Sequence, residues 1–286
     1  MEPKFVDIHS HVQFAAYDED RDAVIERSLG SETWMINVGT QRDTSENAIT
    51  LAEKYPEGVY ATVGLHPIHT DKSYHDTKEF GGEGEAFTSR GETFDSVLYE
   101  KLARHPKVVA IGECGLDYFR PAEVNEEVKQ VQRELFKKHI ALATELNKPL
   151  IIHARPSKGT QDAYQELISI LKEAKTVYPN LCGDVHFFVG GLAEAQALIA
   201  LDFTISFTAV ITFARDYDEV IRSVPLTSIL SETDAPYVAP ASRRGQRNDP
   251  LSVKDVVSKI ASIRSEDLET VRSTLLATSR RMFVLP

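Results

Sequence analysis

No run of eighteen apolar residues occurs in this chain, so no segment reads as a membrane-spanning helix. Cysteine is scarce. Cys114 and Cys182 are the only two, too few for a disulfide framework, which favours a reducing compartment. The opening MEPKFVDIH has no basic region, apolar stretch or cleavage signal, so the expected location is cytoplasmic. Internal repeats and low-complexity tails are lacking too. Positive charge is short: 32 Lys and Arg face 43 Asp and Glu, for a net charge of −11. A protein that coats a nucleic-acid duplex relies on many cationic contacts to phosphates. This chain fits that mode poorly, and any grip on nucleic acid must be local, through metal ions and a few arginines.

What is present is an ordinary globular composition, 42% apolar and 26% charged, over 286 residues. An α/β barrel occupies about 250 residues as one domain, so a single domain over residues 1–286 is expected. Short β-branched segments cover residues 5–12, 34–40, 59–66, 108–117, 150–155, 181–188, 203–210 and 229–234. Helical apolar spacing lies between them, clearest over residues 125–147 and 162–178, and two more helical stretches close the chain near 252–262 and 266–282. Eight strands alternating with helices predict a parallel sheet closed into a (β/α)8 TIM barrel. The connection over residues 80–92, rich in Gly and Glu, breaks this rhythm and reads as a solvated excursion or a substrate-covering flap.

Residues that bind metals sit at the C-terminal ends of these strands. His9 and His11 stand two apart in DIHSH, so both imidazoles can face one ion. Glu113 follows the apolar run VVAIG, His153 ends LIIHAR, His186 ends LCGDVHFF and Asp234 ends ILSETD. Singly, each could be a satisfied core histidine or a loop carboxylate. Together, six nitrogen and oxygen ligands emerge from five strands at the face where this fold keeps its active sites. Imidazole plus carboxylate suits Zn, Mn, Fe or Co, and Mg also falls within its range. Cys114 should point away from the side taken by Glu113, into the core.

The segments VDIHSH, GLHP, VVAIGECGLDY, IIHAR, HFF and SETDAPY, followed by RRGQRNDP, resemble the signature segments of the TatD family of metal-dependent deoxyribonucleases. The resemblance implies two divalent metal ions (Mg, Mn or Zn). His9, His11, Glu113 and Asp234 would hold one, and Glu113, His153 and His186 the other, so that Glu113 bridges the pair. Catalysis would fall to Glu113 and to Asp234 as general base. His66, Asp117, Arg155 and Tyr237 would support the ligands or hold a substrate phosphate. Two departures stand out. Ile8 stands where the family usually has a small residue, and Gln13 where it has an acidic or amide residue shortly after the second histidine, so a carboxylate orienting His11 is expected to be missing.

Arg243, Arg244 and Arg247 form a basic cluster beyond the last strand, with Arg243 and Arg247 as candidates for gripping nucleic acid and Asn248 expected to fasten the loop. The expected activity is 3′-5′ exonuclease action on single-stranded DNA or RNA by a monomer. The alternatives are an ester hydrolase of the D-aminoacyl-tRNA deacylase type and a metal-binding barrel without catalysis.

Overall fold

The computed structural model describes residues 2–70, 74–75, 87–88, 91–120 and 124–286. Eight parallel strands form one sheet: β1 (Phe5–Ser10), β2 (Thr33–Val38), β3 (Val59–Val63), β4 (Val108–Asp117), β5 (Leu150–Arg155), β6 (Gly183–Val185), β7 (Phe203–Phe207) and β8 (Ile229–Ser231). Helices α1 (Arg21–Gly30), α2 (Arg42–Glu53), α3 (Ser96–Ala103), α4 (Glu126–Leu146), α5 (Asp162–Val177), α6 (Leu192–Ile199) and α7 (Asp218–Ser223) fall one by one between successive strands. After β8 come α8 (Val253–Arg264) and α9 (Leu268–Phe283). The architecture is the expected (β/α)8 TIM barrel. Its strands are buried on both faces, which is why they read as continuous apolar runs.

The barrel closes where β1 meets β8. Ser10 bridges Ala235, the His11 N–H donates to the Ala235 carbonyl at 2.7 Å, and the Asp234 N–H donates to the His9 carbonyl at 2.8 Å. Beneath them the Asp7 carboxylate accepts the Thr233 N–H at 2.9 Å and its hydroxyl at 2.6 Å. Metal-type ligands at opposite ends of the sequence, His9 and Asp234, are thereby side by side.

Helix ends follow local chemistry. Asn125 caps α4 by accepting the Val128 N–H, and Asn147 ends it in the left-handed conformation (φ 50°). Six strands stop short of the C-terminal limits expected from sequence, among them β6 at Val185 and β8 at Ser231, while β4 and β5 keep theirs. Phe187 (φ 45°) and Asp234 (φ 54°) turn the backbone into the left-handed region, where strand geometry cannot continue. His186 and Asp234 therefore project from the first residues beyond the sheet.

The glycines around Glu113 are needed for close packing. A Cβ on Gly112 would lie 2.4 Å from the Ile151 carbonyl oxygen, and one on Gly115 would lie 2.1 Å from that of His153. The register between β4 and β5 shifts between Ile111 and Cys114, and Glu113 sits in that irregularity. Cys114 is fully buried in the core, as expected. The 80–92 connection lies largely outside the described residues. Only Phe87–Thr88, paired antiparallel with Tyr74–His75, and residues 91–92 are described.

Candidate metal centre

All six expected ligands meet at the C-terminal mouth of the barrel, and Glu113 stands between two groups of them. On one side, His9 Nε2 lies 3.2 Å from His11 Nε2, 3.8 Å from Asp234 Oδ1 and 3.5 Å from Glu113 Oε2. His11 Nε2 is 3.4 Å from the same Asp234 oxygen. On the other side, Glu113 Oε1 lies 2.8 Å from His186 Nε2, 3.2 Å from His153 Nδ1 and 3.1 Å from His66 Nε2. Each carboxylate oxygen of Glu113 thus serves a different set. Ring nitrogens facing one another in a buried pocket, among carboxylate oxygens, form a donor set that fits divalent cations.

The far nitrogen of each ring separates the rings free to turn a lone pair inward from the one that is not. A neutral imidazole that ligates through one nitrogen carries its proton on the other, and that N–H needs an acceptor. His11 Nδ1 faces the Val38 carbonyl at 2.8 Å. His153 Nε2 faces Asp117 Oδ2 at 2.9 Å. His9 Nδ1 and His186 Nδ1 both face Glu232 Oε2, at 3.7 and 3.5 Å. His66 is the exception: its Nδ1 accepts the Ile68 N–H at 3.1 Å. Neutral His66 therefore carries its proton on Nε2 and donates it toward Glu113, so it cannot ligate there without losing both protons. Burial lowers its pKa to about 4, which keeps it neutral.

Charge is arranged to keep the carboxylates ionised. Burial would raise Glu113, yet His66, His186 and the hydrogen bonds from His153 and His186 hold it well below the usual range. Asp234 is lowered in the same way: its burial is outweighed by the bond to His11 and by the neighbouring imidazoles. Asp117 is buried too, and the His153 hydrogen bond outweighs that burial. Its Oδ1 accepts the Phe119 and Arg120 N–H groups, and the Gln132 amide brackets its backbone at 2.8 and 2.9 Å. Tyr237 stacks edge-on to His11, and burial followed by the charge of Asp234 pushes its hydroxyl up to about 12, so it remains a proton donor.

Outer residues divide. Arg155, two positions beyond His153, lies 4.2 Å over the Phe119 ring and lines an open groove of about 710 Å³ with Lys158. The basic cluster is engaged within the fold. Arg247 makes two bonds to the Asp20 carboxylate at 2.9 and 2.6 Å, donates to the Ala16 carbonyl and covers Tyr17. Arg243 contacts Asp249 and Ser252, and Arg244 covers Phe213. The partners of Arg244 and Arg247 lie far along the chain, whereas Arg243 finds Asp249 and Ser252 within its own segment. Asn248 fastens the loop as expected, its amide donating to the Thr233, Tyr237 and Val238 carbonyls. Gln13 does not replace an orienting carboxylate. It donates to the Val38 carbonyl at 2.7 Å, the same acceptor that orients His11.

Sequence reasoning passed over Glu232, which is fully buried. The available signal was its place in SETD, a second carboxylate directly after an apolar strand and two positions before Asp234.

A family model described as TatD related DNase matches residues 6–284. The metal-dependent hydrolase YabD of Bacillus subtilis is 33% identical over 97% of this chain and 98% of its own length. The 3′-5′ ssDNA/RNA exonuclease TatD of Erwinia billingiae is 31% identical over 98% and 99%. Among solved structures, the YjjV TatD homologue of Escherichia coli K12 superposes with a TM-score of 0.81 at 27% identity, covering both chains fully. A cluster of buried imidazoles and carboxylates at a barrel mouth, the whole-chain match and these relatives lead to one conclusion: the chain belongs to the TatD-related DNase family of metal-dependent hydrolases.

Proposed function

We propose that this protein is a 3′-5′ exonuclease that removes nucleotides from single-stranded DNA or RNA, with two divalent cations shared through Glu113. The observation that carries this reading is the division of Glu113 between the two imidazole sets, Oε2 toward His9 and Oε1 toward His153 and His186. His9, His11 and Asp234 would complete one site, and His153 and His186 the other. Cations held there would supply Lewis-acid activation of the scissile phosphate and of the attacking water.

The protein's own groups do the remaining work. Asp234 is ionised and about 15% exposed at its side chain, so it can accept a proton at the mouth. His66 holds its Nε2 proton against Glu113 and steadies the bridging carboxylate. Tyr237, edge-on to His11, and Arg155, two positions beyond His153, carry donors of the kind that hold phosphate oxygens. The net charge of −11 favours a strand end held by few contacts over a duplex gripped along its length. The relatives named as ssDNA/RNA exonucleases support the same substrate. The reading carries with it a single-domain monomer.

The test is a substrate panel on metal-stripped protein with Mg, Mn or Zn restored: single-stranded DNA, duplex DNA, RNA, a phosphomonoester and an aminoacyl-tRNA. Metal-dependent shortening of single strands is expected. Release of the amino acid from aminoacyl-tRNA with DNA left intact would transfer the assignment to an ester hydrolase.

A further inference from the structure

We propose that Glu232 is a positioning residue shared by both cation sites, its single carboxylate orienting His9 of one ligand set and His186 of the other. The inference rests on reading the centre as metal-binding. Glu232 lies at the end of β8, fully buried beneath the two sets. Its Oε2 faces His9 Nδ1 at 3.7 Å and His186 Nδ1 at 3.5 Å. The two rings are stacked, with centroids 3.8 Å apart and planes 18° apart, which brings both Nδ1 atoms to one oxygen. All three are buried polar atoms with no hydrogen-bond partner among the described residues, so they face only one another.

The requirement for a carboxylate follows from proton counting. His9 and His186 turn Nε2 toward their ligand sets, so each neutral ring carries its proton on Nδ1 when it ligates. Two N–H groups then need acceptors in the same buried place. Glu232 Oε1 is already taken by the Phe187 N–H at 2.5 Å. Oε2 has lone pairs for both rings, and the group donates nothing. A glutamine at this position fails on one side in either orientation: its NH2 must face the two ring N–H groups or the Phe187 N–H. The Phe187 bond also pins the residue next to His186, so the ring, its neighbour and its acceptor are fixed together.

The consequence differs from that of Asp117, whose carboxylate meets one imidazole of the cluster, that of His153. Loss of the Glu232 charge should weaken both cation sites at once, by roughly 10- to 100-fold each. The experiment titrates metal-stripped wild type and Glu232→Gln with zinc by calorimetry. In parallel, nitrogen-15 NMR of zinc-loaded wild type reads which ring nitrogens carry protons. The expected result is two weakened sites in the variant, at an unchanged melting temperature of the metal-free protein, and protonated Nδ1 on both His9 and His186 in wild type. Affinities within threefold of wild type, or a loss confined to one site, would overturn the shared role. An unprotonated Nδ1 on either ring would overturn it even if the variant failed to fold. A wild type that takes up no zinc, manganese or magnesium would instead overturn the metal-centre reading, and this inference with it.

Discussion

The Asp117 carboxylate accepts the His153 Nε2–H hydrogen bond at 2.9 Å, and the ring in turn aims Nδ1 at Glu113, 3.2 Å away. The carboxylate thereby selects the tautomer that leaves the inward nitrogen free to ligate. In Asp117→Asn the amide oxygen can keep the Phe119 and Arg120 N–H bonds, so its NH2 must face His153. The ring then accepts at Nε2 and moves its proton to Nδ1. Metal affinity at that site should drop roughly 10- to 100-fold while the His9–His11 site is spared. Calorimetric titration of the stripped variant checks this, and equal loss at both sites would contradict it.

Glu113→Ala should abolish activity and lower the metal content of both sites, because one carboxylate faces both. Elemental analysis showing two fully occupied metals in this variant would end the bridging assignment.

Asp234→Asn keeps an oxygen near His11 but cannot accept a proton. If Asp234 is the general base, kcat should fall by roughly 10²-fold or more while strand binding persists. Single-turnover rates within a few-fold of wild type would assign the base elsewhere.

His139 offers a pH test away from the centre. Its Nε2 accepts the Leu65 N–H at 3.0 Å and its Nδ1 donates to the Leu135 carbonyl at 2.9 Å, so it is buried as a neutral ring. Burial lowers its pKa from 6.5 to about 4. Between those values the unfolded chain binds a proton that the folded chain refuses, so stability falls as pH drops through this window. The full effect is about 3 kcal/mol for a shift of this size. Urea unfolding of wild type and His139→Gln between pH 7 and 4 should show a shallower slope in the variant, by close to one proton at pH 5. Parallel curves would show that His139 does not carry this term.

Substrate topology separates an exonuclease from an endonuclease. A linear single strand with a free 3′ end should be shortened one nucleotide at a time, and a sealed circular strand should survive. Few phosphate contacts also predict a shallow salt dependence of binding, with a slope near −0.7 for each phosphate neutralised. Because Arg247 is paired with Asp20, Arg247→Ala should change that slope by less than one unit. Rapid cutting of circles would refute the exonuclease reading.

The barrel was legible in the sequence because strands buried on both faces must be continuously apolar, and helices over them must repeat at 3.6 residues. The cluster of imidazoles and carboxylates was legible for a related reason: histidine and carboxylate are costly at the ends of such strands unless something there uses them. Motif resemblance then suggested which residues share an ion. Three things were decided only by tertiary structure. Glu232 and Asp117 acquire their roles from ring nitrogens brought to them by other strands, across 223 and 36 positions of chain from His9 and His153 respectively. Arg243 and Arg247, basic and loop-borne in sequence, are claimed by Asp249 and Asp20 through the fold. His66 is set apart from the other imidazoles of the cluster by a single backbone N–H, that of Ile68, which fixes its proton on the inward nitrogen. Residue type and spacing determine which side chains can reach a common point. Which nitrogen holds a proton, and which cation is already paired, depends on neighbours that only the closed barrel assembles.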